Sequence, residues 1–412
     1  MYTTITQCRI CRSKTLTSVL SLGEQALTGV FPASPEERVS SGPVDLVMCT
    51  APDGCGLVQL LQSYDLREMY GHNYGYRSGL NRSMVEHLQR KVRNILERGV
   101  LQPGDLVIDV GSNDATTLRS YPAGAYDLVG IDPTGVKFAS YYPPEIRLIP
   151  DFFSAETVTQ ALGGRKAKVI TSFSMFYDLE DPVAFAREIA AALDPEGIWV
   201  LEQSYLPTML RTNSFDTICH EHLEFYGLRQ IEWIASAAGL KILDVEFNDI
   251  NGGSFSIVAA KAGSSHAVNL EQITQILAEE QALGLQSPRA FGDFKVRVEE
   301  AGRALRAFLE GARADGKQVY GLGASTKGNV LLQYFGIGPS LLSAIGEVNE
   351  DKFGKYTPGT AIPLRSEDEV LALDPDYLLV LPWHFRPFFE QLGKLKGRRL
   401  VFPLPQLEIV EL

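Results

Sequence analysis

The sequence predicts an α/β protein in which more than one domain is built on a doubly wound, mostly parallel sheet. Strand-like apolar runs alternate with helical patterns from residue 106 onward, and a second, smaller alternation begins near residue 318. The first hundred residues differ from both blocks, because they hold all the cysteines except Cys219. With 412 residues, of which 45% are hydrophobic, the chain is long enough for two or three separate cores.

Composition narrows the class of protein. The formal net charge of -12 argues against a nucleic-acid partner, because phosphate binding needs clustered Lys and Arg. The longest uncharged stretch near the C-terminal end, 328–346, is broken by Gly336, Gly338 and Pro339, so it predicts a helix and a loop and not a membrane span. The N-terminus lacks a basic-then-apolar signal region, and a cytoplasmic protein is therefore expected.

The cysteines predict a metal site near the N-terminus. Cys8 and Cys11 form a C-x-x-C pair, and Cys49 and Cys55 follow at a longer C-x5-C spacing. Two thiolate pairs a few tens of residues apart are what a tetrahedral zinc site requires, and four Cys ligands leave no open position, so the zinc would be structural. The alternative is a set of unligated thiols, while the odd total of 5 cysteines disfavours a disulfide framework.

The middle of the chain predicts the elements of the larger sheet. Residues 78–99 carry apolar side chains at helical spacing, which predicts an amphipathic helix leading into a new domain. Strands are predicted at 106–111, 127–132, 146–150, 168–174, 198–204, 242–247 and 254–261, with the clearest intervening helix at 182–194. Because strands and helices alternate, the sheet is expected to be mostly parallel.

The C-terminal part predicts a smaller domain of the same kind. Residues 268–315 read as helical, and a helix is also expected from Thr326. Strands are predicted at 318–324, 341–348, 376–382 and 398–405. This second alternation indicates a further parallel sheet.

The loop after the first central strand predicts a cofactor site. The motif VIDVGSND places candidate residues where a strand turns into a helix: Asp109, Gly111, Ser112, Asn113 and Asp114. One strand later Asp132 stands at a strand end, where an acid can accept both hydroxyls of a ribose. The G-x-G-x-x-G pattern of dinucleotide-binding folds is absent here, so S-adenosylmethionine (SAM) is preferred to NAD. A loop without function is the alternative.

The segment DTICHEHLEFYG, residues 216–227, predicts acid–base chemistry. His220, Glu221, His222, Glu224 and Tyr226 lie within it, and two of the 6 histidines of the chain are thus interleaved with acids. A His beside a carboxylate can act as a general base with a defined tautomer. Zinc ligation and an ordinary solvated loop are the alternatives.

Two further segments suggest a sugar-nucleotide contact. Tyr74, Tyr76 and Arg77 lie in an aromatic stretch before the first long helix, which suits a sugar or phosphate, although packing in a core or interface explains it equally well. Near the C-terminal strands, the turn GLGASTKG offers backbone donors and Lys327 for a diphosphate. Trp383 and His384, at the end of a later strand, are expected to face the same crevice.

Taken together, these motifs resemble the family of SAM-dependent C-methyltransferases that act on nucleotide-linked 4-keto-deoxysugars. The resemblance covers essentially the whole chain and rests on the cysteine pairs, MYG…YGYRSG, DVGSND, EHLEFY, NGGSFS, YGLGASTKGNVLLQYFGI, GKYTPGTAIPL and LLVLPWHF. It implies a zinc-binding domain over 1–75, a class I SAM methyltransferase (Rossmann-like) domain over 76–265 and a Rossmann-like domain over 266–412. The sugar nucleotide is then expected between the last two.

The resemblance also implies roles for individual residues. His222 would be the base with Glu221 as its neighbour, Tyr76 would stabilise an enolate, and Tyr226 would join them. Phe152 and Ser174 are added to the cofactor site. The implied substrate contacts are Tyr74, Arg77, Tyr177, His220, Asn251, Ser325, Lys327, Asn329, Lys352, Trp383 and His384.

The chain departs from the family pattern at a few positions. Ala115 stands where relatives commonly have Gly, Tyr177 where many have His, and His220 where a Tyr is frequent. C3 is the expected methylation site, and dTDP, GDP and CDP are the candidate nucleotides. An O-methyltransferase, a non-catalytic nucleotide-binding scaffold and an NAD-dependent oxidoreductase are the competing hypotheses, and the oligomeric state stays open, with a monomer as one expectation.

Overall fold

The computed structural model describes residues 2–65 and 77–412. In these ranges the chain forms two small N-terminal sheets, a seven-stranded sheet in the middle and a six-stranded sheet at the C-terminal end. The two larger sheets confirm the predicted α/β class. Among the described residues, no helix is both long and apolar enough to cross a bilayer.

The N-terminal region is antiparallel. Its strands are β1 (Tyr2–Thr4), β2 (Leu16–Ala26), β3 (Ser41–Cys49), β4 (Val58–Leu60) and β5 (Gln62–Tyr64). β2, β3 and β4 pair in succession, while β1 pairs with β5 in a separate ribbon. Alternation along β3 turns Leu46 and Met48 inward, and both are fully buried.

The middle region contains a seven-stranded sheet flanked by helices. Its strands are β6 (Leu106–Val110), β7 (Asp127–Ile131), β8 (Ile146–Ile149), β9 (Ala167–Phe173), β10 (Leu193–Ser204), β12 (Leu240–Asn248) and β13 (Ser254–Lys261). The short strand β11 (Glu224–Phe225) does not belong to this sheet and pairs with β4 of the N-terminal region. The spatial order is β12-β13-β10-β9-β6-β7-β8, and β13 alone runs antiparallel to its neighbours. The helices are α1 (Arg82–Glu97), α2 (Gly135–Phe138), α3 (Ala155–Leu162), α4 (Pro182–Ala192), α5 (Leu206–Arg211) and α6 (Leu228–Ala237).

Helix α1 begins later than the apolar pattern predicted. Asn81 caps it by accepting the Ser83 N–H, and the preceding Ser78–Leu80 forms a separate 3-10 turn. Leu80 is 58% exposed, so the predicted periodicity was wrong there. The buried face of α1 also contains His87 and Lys91, which an apolar pattern does not reveal.

The C-terminal region confirms the second alternation. Two helices, α7 (Leu270–Ala282) and α8 (Arg289–Ala314), replace the single helical stretch predicted over 268–315, because Pro288 starts a new helix. The later helices are α9 (Thr326–Tyr334), α10 (Glu367–Ala372) and α11 (Arg386–Gln391). The strands are β14 (Val319–Leu322), β15 (Ile345–Glu347), β16 (Leu364–Ser366), β17 (Tyr377–Val380), β18 (Arg399–Phe402) and β19 (Glu408–Glu411), in the order β16-β15-β14-β17-β18-β19 with β19 antiparallel.

Candidate functional site

The four predicted zinc ligands meet at one point. The sulfur atoms of Cys8, Cys11, Cys49 and Cys55 all lie within 4.8 Å of one another. A Cβ at Gly54 would lie 2.8 Å from the Cys49 sulfur, so this glycine lets the longer C-x5-C turn close around the cluster. The donor set and its closeness fit a structural zinc ion held by four thiolates, with no position left for a substrate.

The loop after β6 encloses the acid at the end of β7. Gly111 has φ 71 and Asn113 φ 48, and this turn directs the Asn113 N–H to Asp132 Oδ2 at 2.8 Å. Asp132 Oδ1 accepts from both the N–H and the hydroxyl of Thr134, at 2.7 and 2.6 Å. The two loops are therefore joined at the carboxyl edge of the sheet, where a parallel α/β sheet binds nucleotides.

The buried carboxylates of Asp109 and Asp114 hold the backbone and side chains around the loop that follows β6. Asp109 is 3% exposed and accepts the Thr171 hydroxyl at 2.5 Å, and burial raises its pKa to about 7. Asp114 is 1% exposed and accepts the Gly79 N–H at 3.0 Å. Both side chains hold protein groups and so help to position the loop, and their direct contact with the cofactor stays a prediction.

The remaining predicted cofactor residues lie on the same edge. Phe152, after β8, is 61% exposed and offers a ring face beside the strand that carries Asp132. Ser112 shares a hydrogen bond with the Tyr142 hydroxyl at 2.7 Å. Ser174, after β9, has φ 54 and accepts from Asn251 Nδ2 at 3.4 Å. An adenosyl ligand fits this edge, because Phe152 offers an exposed aromatic ring, Asp132 a carboxylate that can accept ribose hydroxyls, and Gly111 a tight turn.

His222 has a defined tautomer. Its Nδ1 lies 2.7 Å from the carbonyl oxygen of Thr217, and a carbonyl only accepts, so Nδ1 carries the proton and Nε2 has the free lone pair. The edge of the Tyr177 ring contacts the imidazole at a centroid distance of 4.4 Å. Burial lowers the pKa of His222, and the charge of Lys327 lowers it further. A neutral imidazole with an available nitrogen can accept a proton.

Glu221 does not orient the ring of His222. Its carboxylate accepts from the Thr28 hydroxyl at 3.5 Å and lies beside the Cys219 thiol, whose pKa is raised by burial and by this acid. The orienting bond goes to Thr217 instead, which the sequence could not indicate because the acceptor is a backbone oxygen. Glu221 acts on His222 through its charge, which raises the pKa of the imidazole.

Four predicted site residues lie in the interior instead. His220 is fully buried, with Nε2 3.1 Å from the Gln25 carbonyl oxygen, and Tyr226 is 1% exposed and packs on Phe176. The amide of Asn329 donates to the Thr28 carbonyl at 2.8 Å, and the indole of Trp383 donates to Asp216 at 2.7 Å. These side chains are enclosed by the protein, and the catalytic role of Tyr226 and the substrate contacts of His220, Asn329 and Trp383 stay predictions.

The carboxyl edges of the two large sheets face each other. Lys327 Nζ, from the start of α9, donates to the carbonyl oxygen of Asn251 in the turn before β13. A Cβ built on Gly252 would lie 3.5 Å both from this ammonium and from His384, so the loops of the two sheets meet at a glycine with φ 90. Burial lowers the pKa of Lys327, while nearby Asp216 opposes this, and burial also depresses that of His384.

The glycine-rich turn after β14 is closed by an acid that the sequence reasoning missed. Glu347, at the end of β15, accepts from the Ala324 N–H at 3.0 Å, from the Val348 N–H at 2.8 Å and from Lys352 at 3.3 Å. A dinucleotide fold places its ribose-binding acid at this strand end. Here the carboxylate accepts hydrogen bonds from the chain itself, and it closes the glycine-rich turn. The residue could have been found as the last polar position of the predicted strand 341–348.

Ser325 and Arg77 also have structural partners. Ser325 caps α9 by accepting the Gly328 N–H at 3.0 Å. Arg77 stacks on the Tyr141 ring at 4.5 Å and lies 3.8 Å from Asp114, so it faces the cofactor loop and not the C-terminal crevice. Tyr74 and Tyr76 lie outside the described residues.

The sheet order, the loop that binds Asp132 and the edge that fits an adenosyl group define a class I SAM-dependent methyltransferase. Three family models match in succession: a zinc binding domain over 8–70, a methyltransferase domain over 82–245 and a C-methyltransferase C-terminal domain over 249–405. The chain is 30% identical over 413 residues to the C-methyltransferase NovU of Streptomyces niveus, covering 98% of this chain and 97% of that protein. The chain belongs to this family of zinc-binding, SAM-dependent C-methyltransferases.

Solved structures resemble the middle region only weakly. A SAM-bound magnesium protoporphyrin IX methyltransferase from Synechocystis PCC 6803 is 17% identical and covers 43% of this chain and 79% of its own, with a TM-score of 0.33. A SAM-dependent methyltransferase from Clostridium acetobutylicum ATCC 824 is 12% identical and covers 42% and 90%, with a TM-score of 0.32. At these scores the likenesses support no conclusion about substrate.

Proposed function

We propose that this C-methyltransferase acts on a nucleotide-linked 4-keto-6-deoxysugar and methylates C3, the ring carbon beside the ketone. The observation that carries the proposal is His222, a neutral imidazole whose Nδ1 donates to the Thr217 carbonyl oxygen, which leaves the lone pair of the ring on Nε2. A carbon next to a ketone becomes nucleophilic only after it loses a proton, and a positioned base supplies about 10² to 10⁴ in rate. Bound SAM supplies the electrophilic methyl group.

His222 Nε2 takes the C3 proton, and the bonding electrons move onto the ketone oxygen as an enolate. Tyr76 is proposed to donate to that oxygen, a contribution of about 3 kcal/mol for one well-placed donor. The enolate carbon then attacks the methyl group, which leaves S-adenosylhomocysteine and a protonated His222 that returns its proton to solvent. Tyr177, whose ring packs on the imidazole, keeps the base in place and borders the sugar.

The sugar nucleotide is proposed to lie where the two large sheets face each other. Lys327 makes no salt bridge in the part of the chain that the structure describes, and its ammonium donates to the neutral carbonyl of Asn251. This ammonium can therefore pair with a diphosphate, with His384 beside it and Asn251 across the junction. The nucleotide, dTDP, GDP or CDP, and the division into domains at 75 and 265 belong to the same proposal. A cytoplasmic location and a monomeric state stay expectations of the sequence.

Proton exchange separates this proposal from methylation of a hydroxyl. The enzyme is incubated with dTDP-, GDP- and CDP-linked 4-keto-6-deoxysugars in deuterated water, and NMR follows loss of the C3 proton while mass spectrometry follows methylation. The wild type is expected to exchange that proton and to add the methyl group to carbon. An O-methylated product without exchange contradicts the proposal.

The base is tested by His222→Ala, which is expected to lower turnover by about 10² to 10⁴ and to leave SAM affinity nearly constant, because the residue acts on the sugar. His266→Ala is the matched control, since His266 bonds the Glu196 carbonyl at 3.0 Å on a remote surface. A His222→Ala enzyme that methylates at the wild-type rate places the base elsewhere.

A further inference from the structure

A buried ionic network lies behind the site, between α1, β10 and β12. The carboxylate of Glu202 receives His87 Nε2 at 2.6 Å and Lys91 Nζ at 3.0 Å, and these three side chains are only 2–3% exposed. Lys91 also reaches Glu246 at 2.8 Å on the solvent side. Burying such ions costs several kcal/mol each before pairing, and apolar residues would pack the helix equally well. The network therefore calls for a role beyond packing.

Glu202 connects this network to the site by two separate contacts. Its backbone oxygen accepts the Ser174 N–H at 2.8 Å. Its side chain accepts from Asn248 Nδ2 at 2.9 Å, and Asn248 Oδ1 in turn accepts the Ile250 N–H at 3.0 Å. The backbone of Glu202 thus holds the residue that follows β9, and its carboxylate holds the start of the turn before β13.

The turn that Asn248 holds carries the junction with the C-terminal sheet. Asn251 has φ 56, a left-handed conformation that is strained for a non-glycine residue and is tolerated best by Asn and Asp. Its side chain donates to Ser174, and its carbonyl oxygen accepts from Lys327. Because Ser174 is left-handed as well, with φ 54, both partners need support from outside the turn.

We infer that Asn248 and Glu202 are positioning residues: the buried network fixes the Ile250–Gly252 turn, so that Asn251 meets Ser174 and Lys327 in one geometry. The junction so held is the surface where the sugar nucleotide is proposed to bind, and to that extent the inference rests on the proposed function. Neither residue touches the reacting atoms, and the effect on the reaction passes through Asn251.

The first test needs no substrate. Hydrogen–deuterium exchange is measured by mass spectrometry on the full, zinc-loaded chain for the wild type, Asn248→Ala and Asn94→Ala. Asn94 is the matched control, because its amide donates to Glu246 at 3.4 Å on the exposed side of the same network. Asn248→Ala is expected to speed the exchange of two peptides, the one that contains Ile250 and the one that contains Ser174, at least tenfold. Asn94→Ala is expected to leave the exchange of both peptides unchanged.

Kinetics separate positioning from general destabilisation. Asn248→Ala is expected to raise KM for the dTDP-linked 4-keto sugar about tenfold, with SAM affinity within twofold. Asn248→Asp keeps the acceptor for the Ile250 N–H but loses the donor to Glu202, and it should behave like the alanine variant.

Two results overturn the inference: unaltered exchange in Asn248→Ala, or an equal effect in Asn94→Ala. If exchange responds as expected and the wild type methylates no 4-keto sugar nucleotide, the proposed function fails while the positioning role stands.

Discussion

At the residue scale, the proposed chemistry depends on the protonation of His222. Burial and the nearby ammonium of Lys327 both disfavour the charged imidazole, so its pKa lies below the ordinary value for histidine. The hydrogen bond to Thr217 and the charge of Glu221 act in the opposite direction, and burial is the largest of these effects. The base is therefore neutral and ready at neutral pH.

The pH dependence of the reaction follows from this shift. Only the neutral imidazole accepts a proton, so kcat/KM is expected to be level near pH 7 and to fall as the pH drops through the lowered pKa, below about 6.5. In Lys327→Met a positive charge is lost, the pKa of His222 rises, and the acid limb moves to higher pH. A pH–rate profile of both enzymes measures this, and a limb that moves to lower pH contradicts the assignment.

Asp132 is the residue on which the cofactor site depends most directly. Asp132→Ala removes the acceptor for the Asn113 N–H and the acceptor proposed for the ribose, so SAM binding should weaken by about 1.5–3 kcal/mol, measured by calorimetry. Asp127→Ala is the control: Asp127 begins the same strand at its opposite end and pairs with Arg165 on the surface. Equal affinities for the two variants would place the adenosyl group elsewhere.

At the element scale, one short strand connects the metal site to the segment 216–227, which contains the proposed base His222. β11 pairs with β4 through Glu224 with Gln59 and Phe225 with Val58, and the Leu60 N–H donates to the Leu223 carbonyl at 2.8 Å. β4 begins three residues after Cys55, the last metal ligand. His222 therefore stands two residues before a strand whose partner, β4, follows the last cysteine of the metal cluster.

Loss of zinc should consequently disturb the catalytic segment more than the SAM loop. The purified wild-type protein is expected to contain about one zinc ion per chain. The Cys11→Ser variant is expected to lose the zinc, and its strands β4 and β11 are expected to exchange their amide hydrogens faster. SAM affinity should change little, because its loop belongs to a different sheet. Metal analysis and calorimetry measure both effects, with Ser13→Ala on the same turn as the control. Metal-free wild type with four freely titrating thiols excludes the site.

At the scale of the whole molecule, a buried hydrogen bond connects the middle and C-terminal regions. The Trp383 indole donates to Asp216, which is fully buried and whose pKa is raised by burial. Asn213 adds a bond from its amide to the Pro405 carbonyl at 2.8 Å. These contacts hold the two carboxyl edges in the arrangement that forms the proposed sugar-nucleotide site.

The variant Trp383→Phe tests whether the hydrogen bond between Trp383 and Asp216 stabilises the protein. The variant leaves a buried carboxylate without its donor and should lower the free energy of unfolding by about 1–3 kcal/mol, seen as a lower urea midpoint. Trp233→Phe is the matched control, because Trp233 is 37% exposed on α6 and should change stability by less than about 0.5 kcal/mol. Equal midpoints in the two variants contradict a stabilising role for the contact.

Local signals predicted much of the molecule. The strand ends that carry Asp109, Gly111 and Asp132 were placed correctly, because a buried apolar run followed by glycine or an acid is a short-range pattern. Ala115 is an informative departure: it has φ 61, the left-handed region in which glycine is unstrained, so the structure accounts for the Gly that relatives commonly carry there. By contrast, Glu224 was assigned to an active-site loop but lies in a strand of the N-terminal sheet.

The sequence by itself determined the α/β class, most strands of the two larger sheets, the four cysteines of the metal cluster and the family, since spacing and local pattern suffice for these. The tertiary structure alone decided which polar residues are buried among protein partners. His220 and His222 are two residues apart in one segment, yet the first is enclosed against Gln25 while the second keeps a free nitrogen. That difference depends on which strand packs on each side of the loop, and the partners, Gln25 and Thr217, are backbone oxygens that no side-chain pattern encodes.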